Sequence, residues 1–579
     1  MSLSTLVARV RARKLGQWAV AYLASAWLVL QILSLLAQPF AWPDLVLRAA
    51  TVLLAIGLLA VLVLAWYHGE RGAQRVTGIE LLMLAGILVL AGAAVTLVGK
   101  DKRAQATTTP ETASPAAAPM AAQGSIAVLP FANVSPDRAQ DYFVDGLTDE
   151  LLNVLAGLPE LRVAARTSSF AFAGQRLPAD SIGRALHVAT LLEGSVRKEG
   201  MRVRISADLI DAKTGFTLWR QTYDRDLKDV FQVQDEISRA IVASLRVKLG
   251  AGHAGTQLAR EETRDAHAHL AVLEGLHLVS RRGRADLQRA EALFRQALQR
   301  DPGYARAYAD LASVHWLEGY YRFTRPGPSY ALAQEEARRA LALDSTIAEA
   351  HVVLGRVADL RDWDFAGAER EFRQGIELNP GLPDAYSLRA WVLMRLGHPN
   401  EALADALHAT ELDPLSPTAV NTLGAMYTYS GQLATAVAVE EQAVTLAPNA
   451  SALRSNRVQL LSLTGRHAEA LAAADSLRRI APGDPIALAV IAYAYARAGK
   501  HAQAEEILRA LEAQPDSSPY LLAVAYAGLG DAGRAFSALD AAVRRHDDFV
   551  PDVGVDPVFA AYRSDPRIVA LLKKIGLSG

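Results

Sequence analysis

The chain has 579 residues, which is too long for one hydrophobic core and predicts two to four domains. Its 60 basic and 61 acidic side chains give a net charge of −1, so no overall field favours nucleic acid as a partner. Cysteine is absent, which excludes disulfides, cysteine–zinc sites and thiol catalysis.

Three long apolar runs near the N-terminus predict a membrane domain over residues 1–99. The runs cover about residues 18–37, 45–67 and 79–98, and each has roughly the 20 residues needed to cross about 30 Å of hydrocarbon. We therefore expect three transmembrane helices in contact with a lipid bilayer.

The distribution of basic residues predicts the orientation of these spans. The first 16 residues carry four basic side chains and no acidic one, and the loop between the second and third spans carries Arg71 and Arg75. This bias favours a cytoplasmic N-terminus. Three crossings then place the rest of the chain on the opposite side, although Arg48 and the basic residues at 100–103 oppose that orientation.

Two segments of different composition follow the apolar runs. Residues 100–124 are rich in Ala, Thr and Pro and are expected to form a flexible linker. Residues 125–250 then alternate short apolar runs with helical spacing, in the order strand, helix, strand, helix, three strands, helix. This order predicts an α/β or α+β domain.

The C-terminal half of the chain has a strict internal repeat. Gly397, Gly431, Gly465 and Gly499 lie 34 residues apart, and four prolines from Pro380 onward keep the same step. A period of this size predicts stacked supersecondary units, each burying its apolar face on the next. We expect an all-α solenoid of about eight helix pairs over residues 264–546, closed by a capping segment at 547–579.

The spacing of these small residues resembles the tetratricopeptide repeat (TPR), a helix–turn–helix unit that binds peptides and proteins. Residues 125–250 resemble the TolB amino-terminal-like domain, which precedes TPR arrays in bacterial membrane proteins. Relatives of that module are fused to adenylate cyclase or winged-helix domains, and neither is expected here because only about 16 residues precede the first span. The second resemblance rests on Ile126–Phe131, Tyr142–Glu150, Ala165–Phe170, Leu192–Arg197, Asp211–Trp219 and Tyr223–Asp226.

Three histidines, His267, His269 and His277, are the first candidates for a metal site. A helix directs residues i and i+2 to different sides, so His267 and His269 are poorly placed to share an ion. We therefore expect all three to be surface residues of a helix and expect no metal ion.

Asp145, Asp149 and Glu150 form an acidic group on the first predicted helix of the α/β domain. Paired carboxylates suit acid–base work or cation binding, but acidic residues are also favourable near a helix start. Ser168 lies in a Thr-Ser-Ser triplet without the Gly-x-Ser-x-Gly turn of a nucleophile, so a strand end followed by a polar loop is expected there. No catalytic set or phosphate loop is found, and we expect neither enzyme activity nor a cofactor.

The concave face of the solenoid is the better candidate site. Its first helices are expected to present aromatic, arginine and amide side chains, which suit recognition of a protein or peptide. The alternative for Trp391 and Tyr493 is packing between repeats. The predicted partner-binding residues are Trp391, Arg395, Asn421, Tyr429, Gln459, Tyr493 and Arg497.

These features together predict a non-catalytic scaffold or adaptor in a bacterial inner membrane, with its soluble part in the periplasm. One alternative is a transmembrane sensor that acts on a separate cytoplasmic partner. Another is an enzyme related to adenylate cyclase, which no residue of the chain supports. Nucleic acid is not an expected partner, and a homo-oligomer stays open.

Overall fold

The computed structural model describes residues 124–136, 140–245, 262–514 and 517–577, with isolated positions at 26, 27, 31 and 54. The chain divides into two compact units, residues 1–117 and 118–579, and the elements below belong to the second unit. Within the described residues, no helix has the length and apolarity that crossing a membrane requires. Apart from those isolated positions, the three predicted spans and the linker lie outside the described residues.

The first region is an α/β domain with a mixed sheet. Its elements are β1 (Ser125–Val128), β2 (Ala132–Asn133), α1 (Asp141–Ala156), β3 (Arg162–Ala164), α2 (Arg166–Phe170), α3 (Ala179–Leu186), β4 (Thr190–Glu199), β5 (Arg202–Asp211), β6 (Thr217–Asp226) and α4 (Val230–Ser244).

The strand order is β3-β1-β4-β5-β6, and β2 also pairs with β4. The pairs of β1 with β3 and β4 are parallel because helices α1, α2 and α3 connect them, whereas β4, β5 and β6 are antiparallel and joined by tight turns. The alternating side chains of β5 bury Val203, Ile205, Ala207 and Leu209 beneath α1 and α4.

The second region is a solenoid of paired helices. Its helices are α5 (Ala266–Val279), α6 (Arg284–Arg300), α7 (Ala305–Tyr320), α8 (Pro326–Leu343), α9 (Ala348–Val357), α10 (Phe365–Leu378), α11 (Pro383–Arg395), α12 (Pro399–Leu412), α13 (Pro417–Tyr429), α14 (Leu433–Leu446), α15 (Ser451–Leu463), α16 (His467–Ile480), α17 (Pro485–Arg497), α18 (His501–Glu512), α19 (Pro519–Leu529), α20 (Ala532–Arg544) and α21 (Pro566–Lys574). The predicted α/β region followed by an all-α repeat region is confirmed.

The α/β domain and the solenoid share a packed interface. Leu273 of α5 belongs to the hydrophobic core of the α/β domain. Gly381, which precedes α11, lies against Ala156 so closely that a Cβ on Gly381 would meet the Ala156 Cβ at 2.5 Å. These contacts hold the sheet against the edge of the solenoid on which the loops between repeats lie.

The predicted polar loop around Ser168 is instead the short helix α2, and that expectation was wrong. The backbone N–H of Ser168 donates to Asp413 Oδ1 at 2.8 Å, and the Ser168 hydroxyl accepts from the N–H of Leu415 at 2.9 Å. Asp413 thereby satisfies a free N–H in the first turn of α2, which a polar loop would otherwise leave to water. The missing partner lies 245 residues away in sequence.

Candidate functional site: the inner face of the repeats

The C-terminal segment of the chain lies along the first helices of the repeats. We call residues 546–562 the tail; it includes two short 3₁₀ helices, Val550–Gly554 and Pro557–Tyr562. Val550, Val553 and Phe559 are fully buried. The tail therefore occupies the concave face on which sequence analysis places a partner.

Arg395 at the end of α11 is the main polar anchor of the tail. Its Nη1 atom lies 2.6 Å from Asp359 Oδ1 and its Nε atom lies 2.7 Å from Asp552 Oδ1 of the tail. The Arg395 side chain is only 7% exposed. Burial alone would lower the pKa of Arg395, but the two carboxylates raise it above its ordinary value. This guanidinium stays charged and serves two acids at once.

Asp556 is the second polar anchor of the tail. Its carboxylate accepts from Gln459 Nε2 at 3.3 Å and from the Tyr520 hydroxyl at 3.0 Å. It also accepts from the backbone N–H of Val558, which starts the second 3₁₀ helix. Burial raises the pKa of Asp556 to about 6. These three donors connect α15 and α19 through one tail carboxylate.

The aromatic residues predicted for the site pack in the same groove. Trp391 and Tyr429 meet edge to face with ring centroids 5.6 Å apart, and Val555 of the tail packs against their cluster. Tyr493 is buried further along the groove, on α17, where Gly528 leaves room for its ring. Apolar and aromatic contacts therefore continue between the polar anchors.

The two remaining predicted residues do not contact the tail. Asn421 accepts a hydrogen bond from Asn456 Nδ2 at 2.6 Å, which links α13 to α15. Arg497 is exposed at the end of α17. The structure thus brings Trp391, Arg395, Tyr429, Gln459 and Tyr493 together around the tail and leaves Asn421 and Arg497 beside it.

Sequence analysis missed two groove residues because they break the glycine pattern. Gly397 and Gly431 have positive φ angles at the turn inside their repeats, whereas Arg322 and Trp363 hold the same left-handed position with φ of 58° and 52°. Arg322 Nη2 lies 2.7 Å from Asp548 Oδ2, and the Trp363 ring stacks on His546 with centroids 3.7 Å apart. The absence of glycine at these turns was the signal that could have located them.

A second cluster lies where α1 of the α/β domain meets α5 of the solenoid. His269 is 2% exposed, and its Nδ1 atom lies 3.6 Å from Glu150 Oε1. Burial lowers the pKa of His269 to about 4 and raises the pKa of Glu150 to about 8, so both groups are uncharged at neutral pH. Gln234 of α4 donates a hydrogen bond to Glu150. The expectation of a surface position was wrong for His269 because the α/β domain covers this helix.

The other acidic residues of α1 have separate partners. Asp149 forms two hydrogen bonds with Arg166 Nε at 2.8 and 2.7 Å, and burial raises the pKa of Asp149 to about 6. Asp145 Oδ2 lies 3.2 Å from His277 Nδ1, and His267 is exposed. Within the described ranges, no group of three or more acidic or histidine side chains could hold a metal ion.

A cleft of about 440 Å³ opens between α1 and the first helix pair. Polar groups on its walls bond to each other: Glu274 forms an ion pair with Arg289 at 2.5 Å, and the Asn133 amide donates a hydrogen bond to Asp141 at 2.6 Å. The full lining is Phe131, Asn133, Asp141, Tyr142, Val144, Asp145, Glu274, His277, Leu278, Arg281 and Arg289.

The helix pairs, their inward-facing first helices and the bound tail define a tetratricopeptide-repeat protein. A family model described as "Tetratricopeptide repeat" matches residues 387–451, 427–485 and 458–519. Over 193 residues the chain is 40% identical to a protein of Rhizobium meliloti (strain 1021) named "Putative adenylate cyclase 3", a stretch that covers 33% of each chain. The chain thus spans about a third of the length of that curated relative.

The chain is also similar to solved structures, including the following two. One is pilF of Pseudomonas aeruginosa, at 19% identity, covering 38% of this chain and 95% of that one with a TM-score of 0.31. The other is TTC0263, a TPR protein of Thermus thermophilus, at 22% identity, covering 34% and 98% with a TM-score of 0.28.

Proposed function

We propose that this chain is a non-catalytic protein-binding scaffold anchored in a bacterial inner membrane by residues 18–98. The observation that carries the proposal is the tail in its groove. The inner face of the repeats accepts an acidic segment through arginine, amide and tyrosine donors, with apolar contacts between them. A surface that holds one such segment is also suited to binding a similar segment of a partner protein.

The α/β domain, which resembles the TolB amino-terminal-like module, has a positioning role in this proposal. Leu273 lies in its core and Asp413 completes its helix α2, so the domain packs directly on the solenoid. In this proposal the α/β domain holds the first repeats in place for the partner. The alternative is a sensor, in which partner binding acts through the anchor on a separate cytoplasmic partner.

Site-specific crosslinking in intact cells tests the scaffold function. A photo-crosslinking residue at position 497, exposed on a first helix, is expected to give a discrete adduct with one partner. The matched position is 407, exposed on the second helix α12, and it is expected to give none. Equal adducts at both positions would argue against recognition by the inner face.

The periplasmic location is a separate proposal. It is supported by the basic residues before the first apolar run and by Arg71 and Arg75 after the second. A phosphatase that needs disulfide bonds for activity, fused after Gly579, is expected to be active, because disulfides form in the periplasm. A reporter that works only in the cytoplasm, fused at the same place, is expected to be inactive, and the reverse pair of results would overturn the location.

The adenylate cyclase alternative is favoured only by the partial match to the Rhizobium protein. The purified full-length chain is expected to form no cyclic AMP from ATP. Cyclic AMP formation that disappears on a point change in the α/β domain would replace the scaffold proposal with an enzymatic one.

A further inference from the structure

The first three repeats share a feature that the later ones lack. Where the later copies place Gly397, Gly431, Gly465 and Gly499 in the left-handed turn, the early copies place Arg282, Arg322 and Trp363. Their φ angles are 56°, 58° and 52°, a region that residues with a Cβ adopt only at an energetic cost. Strained residues of this kind are held in place by their surroundings and cluster at binding and active sites.

Two members of this series hold the tail. Arg322 pairs with Asp548 at 2.7 Å, and Trp363 stacks on His546 at an interplanar angle of 13°. The side chain at the left-handed position therefore points to the occupant of the inner face in both repeats. By comparison with these two residues, we expect the third residue of the series also to contact an occupant of the inner face.

Arg282, the third member, lies beyond the end of the tail. Its Nη1 atom donates to the neutral hydroxyl of Tyr321 at 3.2 Å, and within the described part of the chain no carboxylate lies in ion-pair range of it. Asp384 acts on Arg282 electrostatically from beyond that range. An arginine whose guanidinium bonds a neutral hydroxyl is suited to receive a closer anion from outside the chain.

Arg356 of α9 adds a second cation at the same place. Its guanidinium lies over the Trp316 ring at 4.2 Å, and its Nε atom is buried without a hydrogen-bond partner among the described residues. Its hydrogen bond to Asp384 is long, at 3.4 Å, and the Asp384 side chain is 62% exposed. Burial lowers the pKa of Arg356, and the nearby guanidinium of Arg282 lowers it further.

An aromatic platform completes the arrangement. The Tyr320 ring stacks on Trp316 with centroids 4.8 Å apart and is 47% exposed. Tyr320 also lies within electrostatic range of Arg282, Arg356 and Asp548, which places the platform next to the start of the tail. Arg395, deeper in the groove, shows how this protein compensates an arginine there, with two carboxylates at 2.6 and 2.7 Å.

We propose that Arg282, Tyr320 and Arg356 form a seat for an acidic peptide segment of a partner protein, with carboxylates on the arginines and an aromatic residue on Tyr320. The seat continues the tail groove toward the α/β domain, so a partner binds there without displacing the tail. The tail residues next to the seat, Asp547-Asp548-Phe549, are acidic and aromatic, and we expect the partner segment to have the same character. This inference rests on the proposed scaffold function and names the chemistry of its partner.

The test uses the full chain and a fluorescent peptide with the sequence of residues 546–553, which carries three aspartates and one phenylalanine. A second peptide has asparagine at those three positions. The receptors are the wild type, Arg282→Gln, Arg356→Gln, Arg356→Lys and Arg322→Gln. The matched control is Arg338→Gln, which removes an exposed arginine from the second helix α8. Fluorescence anisotropy gives each Kd, and hydrogen exchange of the tail shows that each variant keeps its fold.

The acidic peptide is expected to bind the wild type and Arg338→Gln equally. Its Kd is expected to rise at least ten-fold for Arg282→Gln and Arg356→Gln and less for Arg356→Lys, and the asparagine peptide is expected not to bind. Unchanged binding by both glutamine variants would overturn the seat. So would binding that is lost only in Arg322→Gln, because the peptide would then be replacing the tail.

A second copy of the chain is the competing occupant. Wild-type self-association in sedimentation that Arg356→Gln abolishes would assign the seat to that copy instead of a partner. The scaffold function has its own test, the crosslink from position 497. If the peptide fails to bind but that crosslink still forms, only the seat is refuted and the scaffold function stands.

Discussion

The guanidinium of Arg395 lies 2.7 Å from the carboxylate of Asp552, a residue 157 positions further along the chain. This ion pair fixes the tail across the inner face of the repeats. Asp359 approaches the same guanidinium at 2.6 Å, so the three side chains form a buried acid–base–acid group. The arginine is the only positive charge in this group and compensates both carboxylates.

Removing the arginine of this group is expected to cost more than removing the tail carboxylate. Arg395→Gln leaves two buried acids without a cation, at a cost of about 3–5 kcal/mol, whereas Asp552→Asn keeps the pair with Asp359 and costs about 1–3 kcal/mol. Urea unfolding measures the two losses, and hydrogen exchange of residues 546–562 reports release of the tail. Arg497→Gln, an exposed arginine, is the control, and a fully protected tail in Arg395→Gln would contradict the prediction.

The contact between Gly381 and Ala156 predicts a selective effect of one methyl group. Gly381→Ala places a Cβ 2.5 Å from the Ala156 Cβ, so the α/β domain must shift, at a cost of about 1–3 kcal/mol. Gly483 follows the proline three repeats later and has nothing within 4 Å of an added Cβ. Gly483→Ala is therefore expected to leave unfolding unchanged. Faster hydrogen exchange at the end of α1 in Gly381→Ala alone would support the contact, and equal effects would refute it.

Asp413 is expected to serve the α/β domain rather than its own repeat. The corresponding positions of the next two copies are Ala447 and Ala481, so alanine fits the local helix end. Asp413→Ala should nevertheless cost about 1–3 kcal/mol, because the buried N–H and hydroxyl of Ser168 lose their acceptor. The loss should appear as faster exchange of the Ser168 amide, with the solenoid amides unaffected. Uniform loosening of both regions would contradict this assignment.

Glu440 is expected to make stability fall as pH rises. Its side chain is 2% exposed inside the α13–α14 pair, and burial raises its pKa to about 8 from an ordinary value of 4.5. Between these two pH values the unfolded chain releases the proton while the folded protein keeps it. Its contribution to the free energy of unfolding therefore falls by about 1.4 kcal/mol per pH unit, and it is constant outside that window.

Glu440→Gln removes this titration and should flatten the pH dependence of urea unfolding between about pH 5 and pH 8 relative to the wild type. Its neighbour Glu441 is exposed, so Glu441→Gln should keep the wild-type slope. Parallel slopes in all three proteins would show that Glu440 is charged in the fold.

The sequence alone determined the repeat region and most of the order of elements in the α/β domain, apart from β2 and α2. Helix pairs follow from local spacing, since the glycines from Gly397 to Gly499 turn the chain and the prolines from Pro380 end each second helix. The α/β elements follow from alternation and helical periodicity within ten to twenty residues. Five of the seven residues that local spacing predicted for partner binding lie around the tail, and their binding of a partner stays a prediction.

Tertiary structure decided what occupies each surface. His269 looked exposed because its own helix cannot show that the α/β domain covers it, and Ser168 looked like part of a loop because its acceptor Asp413 is 245 residues away. The tail looked like a cap for the last repeat and does contact it, at Tyr520 and Phe536, but the sequence did not show that Asp552 also reaches Arg395. Burial and ion pairing between distant segments depend on how the solenoid curves, and the periodicity of a sequence does not record that curvature.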